Sequence, residues 1–151
     1  MAIALRALPD ISEIIIHCAD TPNGQAAYTI TDIDAWHRER GFDRVGYHHV
    51  IHIDGTVHMG RSILMVGAHC RAGGRNQVSI GVCLIGRDAF TKVQWQALKK
   101  LVTDTRAALP HITRVSGHRD WEPHKTCPNF SVDEWVMRAM VPEVVNVCAP
   151  A

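Results

Sequence analysis

The sequence predicts a single α/β domain, a central mixed β-sheet flanked by helices. Short β-branched runs alternate along the chain with longer amphipathic segments. Glycine, proline and asparagine break the chain between them, as strand–helix connections require. The 151 residues are 46% hydrophobic, the size of one domain with a real core.

The elements follow in order. Ser12 to His17 (Ser-Glu-Ile-Ile-Ile-His) reads as a buried strand, leaving His17 at its C-terminal end. A polar loop with Pro22 and Gly24 follows. Thr31 to Gly41 reads as a helix, with Thr31 as N-cap, Asp34 in the first turn and Gly41 as the stop. Tyr47 to Ile53 is a second strand, turned by Asp54-Gly55 into a short strand around Val57. Val66 to Gln77 is a glycine-containing loop, and Val78 to Ile85 a third buried strand. Thr91 opens a long helix to about Leu109, with Gln94 closing a capping box and Pro110 marking the stop. Its apolar face is Ala97, Leu98, Leu101, Val102 and Leu109. Arg114 to Ser116 is a short fourth strand. Ser131, with Glu134 three residues on, opens the last helix, which Pro142 ends. The core is expected over about residues 12–141, with a loosely ordered tail from Glu143 to Ala151.

Composition narrows the function. Sixteen Lys and Arg against fifteen Asp and Glu leave a net charge of +1, with no electrostatic reason for a nucleic-acid or anionic-membrane partner. No apolar run approaches the roughly 20 residues of a membrane span. Met1 to Asp10 lacks the charged head and long apolar stretch of a signal peptide. Five cysteines at irregular spacing suit reduced thiols in a cytoplasm, not a disulfide framework. Among them, Cys83 reads as core, Cys18 as pointing away from His17, Cys70 as an exposed loop residue and Cys148 as part of the tail.

Ten histidines prompt a search for a metal site. His37, His58 and His111 take helix, surface or turn readings. His17 follows one strand, His118 another, and Cys127 lies in a loop before Pro128. If those strands are neighbours, two imidazoles and a thiolate can converge as the three protein ligands of a catalytic zinc, leaving a fourth position for water. Taken singly, such a histidine is more often structural and such a cysteine a small hydrophobe. Lys125 offers a cation for an oxyanion and Tyr47 a phenol beside the same centre; a solvated lysine and a core tyrosine are the plain alternatives.

At these residues the sequence resembles the type 2 N-acetylmuramoyl-L-alanine amidases, especially their small phage lysozymes, which are related to peptidoglycan-recognition proteins. The motifs run in the family's order: Ile14-Ile15-Ile16-His17-Cys18, Ile33-Asp34-Ala35-Trp36-His37, Val45-Gly46-Tyr47-His48, Asp54-Gly55-Thr56-Val57, Gly60-Arg61, Val66-Gly67-Ala68-His69, Asn76, Ser79 to Leu84, Gly117-His118 and Lys125-Thr126-Cys127-Pro128. They span about residues 12–137. The resemblance implies the amidase/peptidoglycan-recognition-protein fold and a single Zn2+ on His17, His118 and Cys127. It implies that Tyr47 and Lys125 assist attack on the lactyl carbonyl, and that His69 binds substrate or shapes the groove. Asn76 falls in the substrate-groove loop. Arg71 and Arg75, in the same loop, offer cations to peptide-stem carboxylates, or are merely solvated. The segment from His118 to Cys127 is about a residue longer than in the nearest phage members, and admits His124 as a competing ligand.

The implied substrate is the bond between N-acetylmuramic acid and L-alanine in peptidoglycan. The implied biology is a monomeric endolysin that accumulates in the cytoplasm and reaches the wall after the membrane is breached. A wall-recycling amidase acting on muropeptides, a non-catalytic peptidoglycan-binding module, and a cysteine hydrolase using Cys127 and His118 are the alternatives. Some phage relatives also regulate another protein by binding it; nothing in the sequence identifies such a surface.

Overall fold

The structure, a computed structural model, describes residues 4–151. The first three residues of the Met1–Asp10 segment read above lie outside them. Five strands make one mixed sheet in the order β3-β2-β4-β1-β6. They are β1 (Glu13–Cys18), β2 (His49–Ile51), β3 (Val57–Met59), β4 (Ser79–Leu84) and β6 (Arg114–Gly117). Strands β2, β4, β1 and β6 run parallel, and β3 pairs antiparallel with β2 at the edge. Both central strands are buried along their whole length, which is why they read as unbroken apolar runs.

Strand alternation divides the sheet into two faces with different jobs. Ile14, Ile16, Cys18, Ile80, Val82 and Leu84 point into the larger core. There they meet α3 (Lys92–Ala108) through Trp95, Leu98 and Val102, and α5 (Val132–Met137) through Val132 and Trp135. Phe90, Trp95, Phe130 and Trp135 pack edge to face or tilted within it. Each such fully buried apolar side chain contributes about 1.5–3 kcal/mol. Behind the other face, Val50 and Cys83 pack with Ile33 of α1 (Ile30–Glu39), Val45, Ile53 and Ile85. Also on that face, beside the apolar Ile15, Glu13, His17, Ser79 and Ser116 are polar and buried.

Helix α3 forms as expected: Thr91 caps Gln94 N–H while the Gln94 side chain accepts Thr91 N–H. Several boundaries differ. Helix α1 starts earlier, because Thr29, not Thr31, is the N-cap and forms a box with Asp32. Strand β2 keeps only three residues of the expected Tyr47–Ile53 run. Helix α5 stops at Met137, well before Pro142, where Ala139 and Met140 turn to φ of 56° and 62°. The tail is docked rather than loose. β7 (Val147–Cys148) pairs with β5 (Phe90–Thr91), and Trp95 Nε1 donates to the Asn146 carbonyl at 2.9 Å. Among the described residues, no helix is long and apolar enough to cross a membrane.

Candidate metal centre and active site

The β1–β6 register pairs Ile16 with Gly117, so His17, the penultimate residue of β1, and His118, directly after β6, come side by side on neighbouring parallel strands. Their ring centroids are 4.6 Å apart. His118 opens α4 (His118–Trp121), and the chain then turns back so that Cys127 meets the end of β1. Arg119 N–H donates to the Cys127 carbonyl at 2.8 Å, and Cys18 N–H reaches Cys127 Sγ at 3.1 Å. The nitrogen and sulfur donors of His17, His118 and Cys127 all lie within 4.8 Å of one another. His124 is exposed and stands outside this group.

Burial, and then the neighbouring His69, His118 and His37 rings, hold the His17 imidazole well below the usual histidine range. It therefore keeps a lone pair at neutral pH. Contact with the Cys18 sulfur, together with burial, pushes the Cys127 thiol up in the metal-free protein. Cys18 does point to the opposite sheet face, yet its sulfur still lies against Cys127. Two imidazoles and one sulfur, drawn together around one point, suit zinc better than a hard oxygen-seeking cation.

Around the donors lies a shell of polar partners. His17 Nε2 and His69 Nδ1 are 2.8 Å apart, and His69 Nε2 lies 3.3 Å from Ser79 Oγ. Glu122 Oε2 contacts His118 Nε2. Cys70 is also near, its sulfur within 4.8 Å of donor atoms on His118 and Glu122. It is fully buried, not exposed as the loop position suggested, and burial and the Glu122 and Glu13 carboxylates push its thiol up to about 11.

Tyr47 stands with its ring 5.0 Å from that of His17. Its low-polarity surroundings, and then the Cys83, Cys127 and Cys18 sulfurs, push the phenol well above its ordinary range, so it is a hydrogen-bond donor at neutral pH. Lys125 is exposed on the turn between α4 and Cys127, and its ammonium has no ion-pair partner among the described residues.

Three of the residues expected to meet substrate make contacts within the protein. His69 is buried, with both ring nitrogens turned to protein groups behind His17. The Asn76 carboxamide oxygen accepts the N–H groups of His69 and Cys70, both at 2.8 Å, and so clamps the loop. Arg75 ion-pairs with the buried Glu13 at 2.9 Å and stacks on Trp121. Arg71 alone is exposed. Glu122, Ser79 and Glu13 went unnoticed in the sequence. The first had a readable signal, since a carboxylate four residues after a ligand histidine shares its helix face.

A family model described as N-acetylmuramoyl-L-alanine amidase matches residues 7–130. The chain belongs to this amidase family. It is 40% identical over 130 residues to the endolysin of Enterobacteria phage T3, covering 81% of this chain and 83% of that protein. To the endolysin of Enterobacteria phage K11 it is 36% identical over 135 residues, 84% and 86% of the two chains. Among solved structures it resembles the N-acetylmuramoyl-L-alanine amidase LysC from Clostridium intestinale, with 27% identity, a TM-score of 0.77 and 94% and 92% of the chains covered. Drosophila PGRP-LB shares the fold at 24% identity and a TM-score of 0.73, over 95% and 89% of the chains. The amidase match takes in His17, Tyr47, His69, His118, Lys125 and Cys127.

Proposed function

We propose that this amidase is a zinc enzyme of the endolysin type, one domain over the whole chain. It hydrolyses the amide between the lactyl group of N-acetylmuramic acid and L-alanine in peptidoglycan. The observation that carries the reading is the convergence of His17, His118 and Cys127 donors from three separate segments. Those residues would hold the ion, and Arg71 remains free for a peptide-stem carboxylate. When bound, zinc supplies a Lewis acid and a water activated near neutral pH.

The chain's own groups do the rest. Tyr47, protonated and facing His17, donates a hydrogen bond at the reacting carbonyl. Lys125 places a cation where negative charge develops on the carbonyl oxygen, which no ground-state amide carries. The bond that breaks is C–N, and the L-alanine amine leaves with a proton. Cys127 Sγ shares one donor cluster with His17 as well as His118, which favours metal ligation over the cysteine-hydrolase alternative, since that needs a metal-free thiolate. The kinship with phage endolysins favours cytoplasmic accumulation and action on the intact wall over muropeptide recycling.

The test is Cys127→Ala, assayed for bound zinc and for release of free L-alanine N-termini from sacculi. Both should vanish together. A variant that still lyses walls in metal-free buffer would end the zinc reading.

A further inference from the structure

The hydrogen bonds behind the two imidazoles have a direction. Ser79 has one hydroxyl proton, and it is committed to the Arg75 carbonyl at 2.5 Å. Toward His69 Nε2, at 3.3 Å, the Ser79 oxygen can therefore only accept. His69 must carry its proton on Nε2. The His69 ring is buried and its nitrogens meet only His17 and Ser79, with no carboxylate to balance a charge, so it is neutral and its Nδ1 is a bare acceptor. The 2.8 Å contact from that nitrogen to His17 Nε2 then requires the proton to sit on His17 Nε2. The lone pair left on His17 is Nδ1.

His118 reaches the same state by a shorter route. Its Nε2 meets the Glu122 carboxylate, which only accepts, so Nε2 again carries a proton and Nδ1 is the nitrogen left to face a metal. The fold also reserves space for the longer relay. A Cβ on Gly81 would lie 2.5 Å from His69 Cδ2, and one on Gly67 2.6 Å from the same atom. Neither glycine has a left-handed φ to explain it, so close approach of the ring is the reason for both.

We propose that His69, backed by Ser79, and Glu122 are positioning residues for the metal. Each fixes the proton on Nε2 of one ligand histidine and aims its Nδ1 at the ion. The inference rests on the zinc reading above and deepens it. It removes His69 from substrate binding and gives Glu122 a role that Lys125 and Cys127, its neighbours in the turn, do not share.

The experiment uses the full chain. Zinc affinity is measured by competition with a chromogenic chelator for the parent, His69→Phe, His69→Asn, Glu122→Leu and Glu122→Gln. Loss of such an outer partner typically weakens metal binding about 10–100-fold. His69→Phe and Glu122→Leu should fall in that range. His69→Asn and Glu122→Gln, which keep an acceptor oxygen, should recover most of the loss. A purely volumetric role would give the opposite order for His69, because Phe preserves the ring. Melting of the metal-free proteins identifies any variant that fails to fold. As a measurement free of mutation, long-range proton–nitrogen NMR of the metal-free parent should show slowly exchanging Nε2 protons on His17, His69 and His118. A proton on Nδ1 of His17, or folded Phe and Leu variants that bind zinc like the parent, overturns the proposal. The expected protons in a parent that binds no zinc would instead support the relay and remove the metal reading.

Discussion

Gly81→Ala tests how tightly the site is built, with a single methyl on the central strand. The added carbon would stand 2.5, 2.6 and 2.7 Å from three atoms of the His69 ring. Carbon contacts are comfortable only at about 3.5–4.0 Å, so the ring must retreat by about 1 Å. Gly67 also approaches the ring, since a Cβ there would lie 2.6 Å from His69 Cδ2. Any shift of that size along the 2.8 Å bond to His17 breaks it, since hydrogen bonds fade beyond about 3.2 Å. Overpacking costs about 1–3 kcal/mol, and replacing glycine recovers about 0.4–1 kcal/mol through the unfolded chain. The net loss is roughly 1–2 kcal/mol, or about 2–8 °C in melting temperature for a protein this size. Zinc affinity should drop as well, by about the tenfold or more of a lost outer partner. Scanning calorimetry and chelator competition read the two effects. A Gly81→Ala protein that melts and binds zinc like the parent would show that His69 is not confined, and the directional hydrogen-bond argument would lose its footing.

Tyr47→Phe should retain zinc and the parent's melting temperature yet lose most turnover on sacculi; undiminished turnover would remove the phenol from the reaction. Glu13→Ala should be strongly destabilising. It strands Arg75 and the donors Ser116 Oγ and Trp121 Nε1 around a buried vacancy, and breaking a buried ion pair costs about 3–5 kcal/mol. Urea unfolding that moved by less than 1 kcal/mol, on the order of a surface pair, would contradict that account. Acid should weaken the fold before carboxylates titrate. Burial lowers His37 to about 4 and His48 to about 3, below the 6.5 of the unfolded chain. Between those values the unfolded state binds more protons, so stability is full above pH 6.5 and falls as pH drops toward 4. A urea midpoint constant from pH 7 to 4 would show that these rings titrate normally.

The parts of the molecule legible in the sequence were those whose signal is local. The unbroken run Glu13–Cys18 marks a strand covered on both faces, and Thr91 with Gln94 marks a helix start by its own chemistry. Thr31 misled because Thr29, two residues earlier, also had an acidic partner three residues on. The tail misled because its anchor is a two-residue pairing plus one indole hydrogen bond, with no periodicity to read. In the site, the three donors were legible as strand ends and a loop cysteine. Their backing was not. Which nitrogen His69 presents, or that Asn76 faces its own loop, depends on contacts between residues far apart in the chain. The polar, glycine-rich neighbours of Cys70 in the chain suggest exposure, while Glu13, His118 and Glu122 come from elsewhere to enclose it.

The register of Ile16 with Gly117 has a wider consequence. Parallel strands stand a fixed interval apart, so the gap between the two imidazoles is inherited from the backbone lattice and not from any loop. The excursion from Glu122 to Thr126 can therefore vary in length and still deliver the Cys127 sulfur to the same corner. Tolerance lies in the return path, while a slip of one place between the two strands would turn a ligand to the wrong side of the sheet.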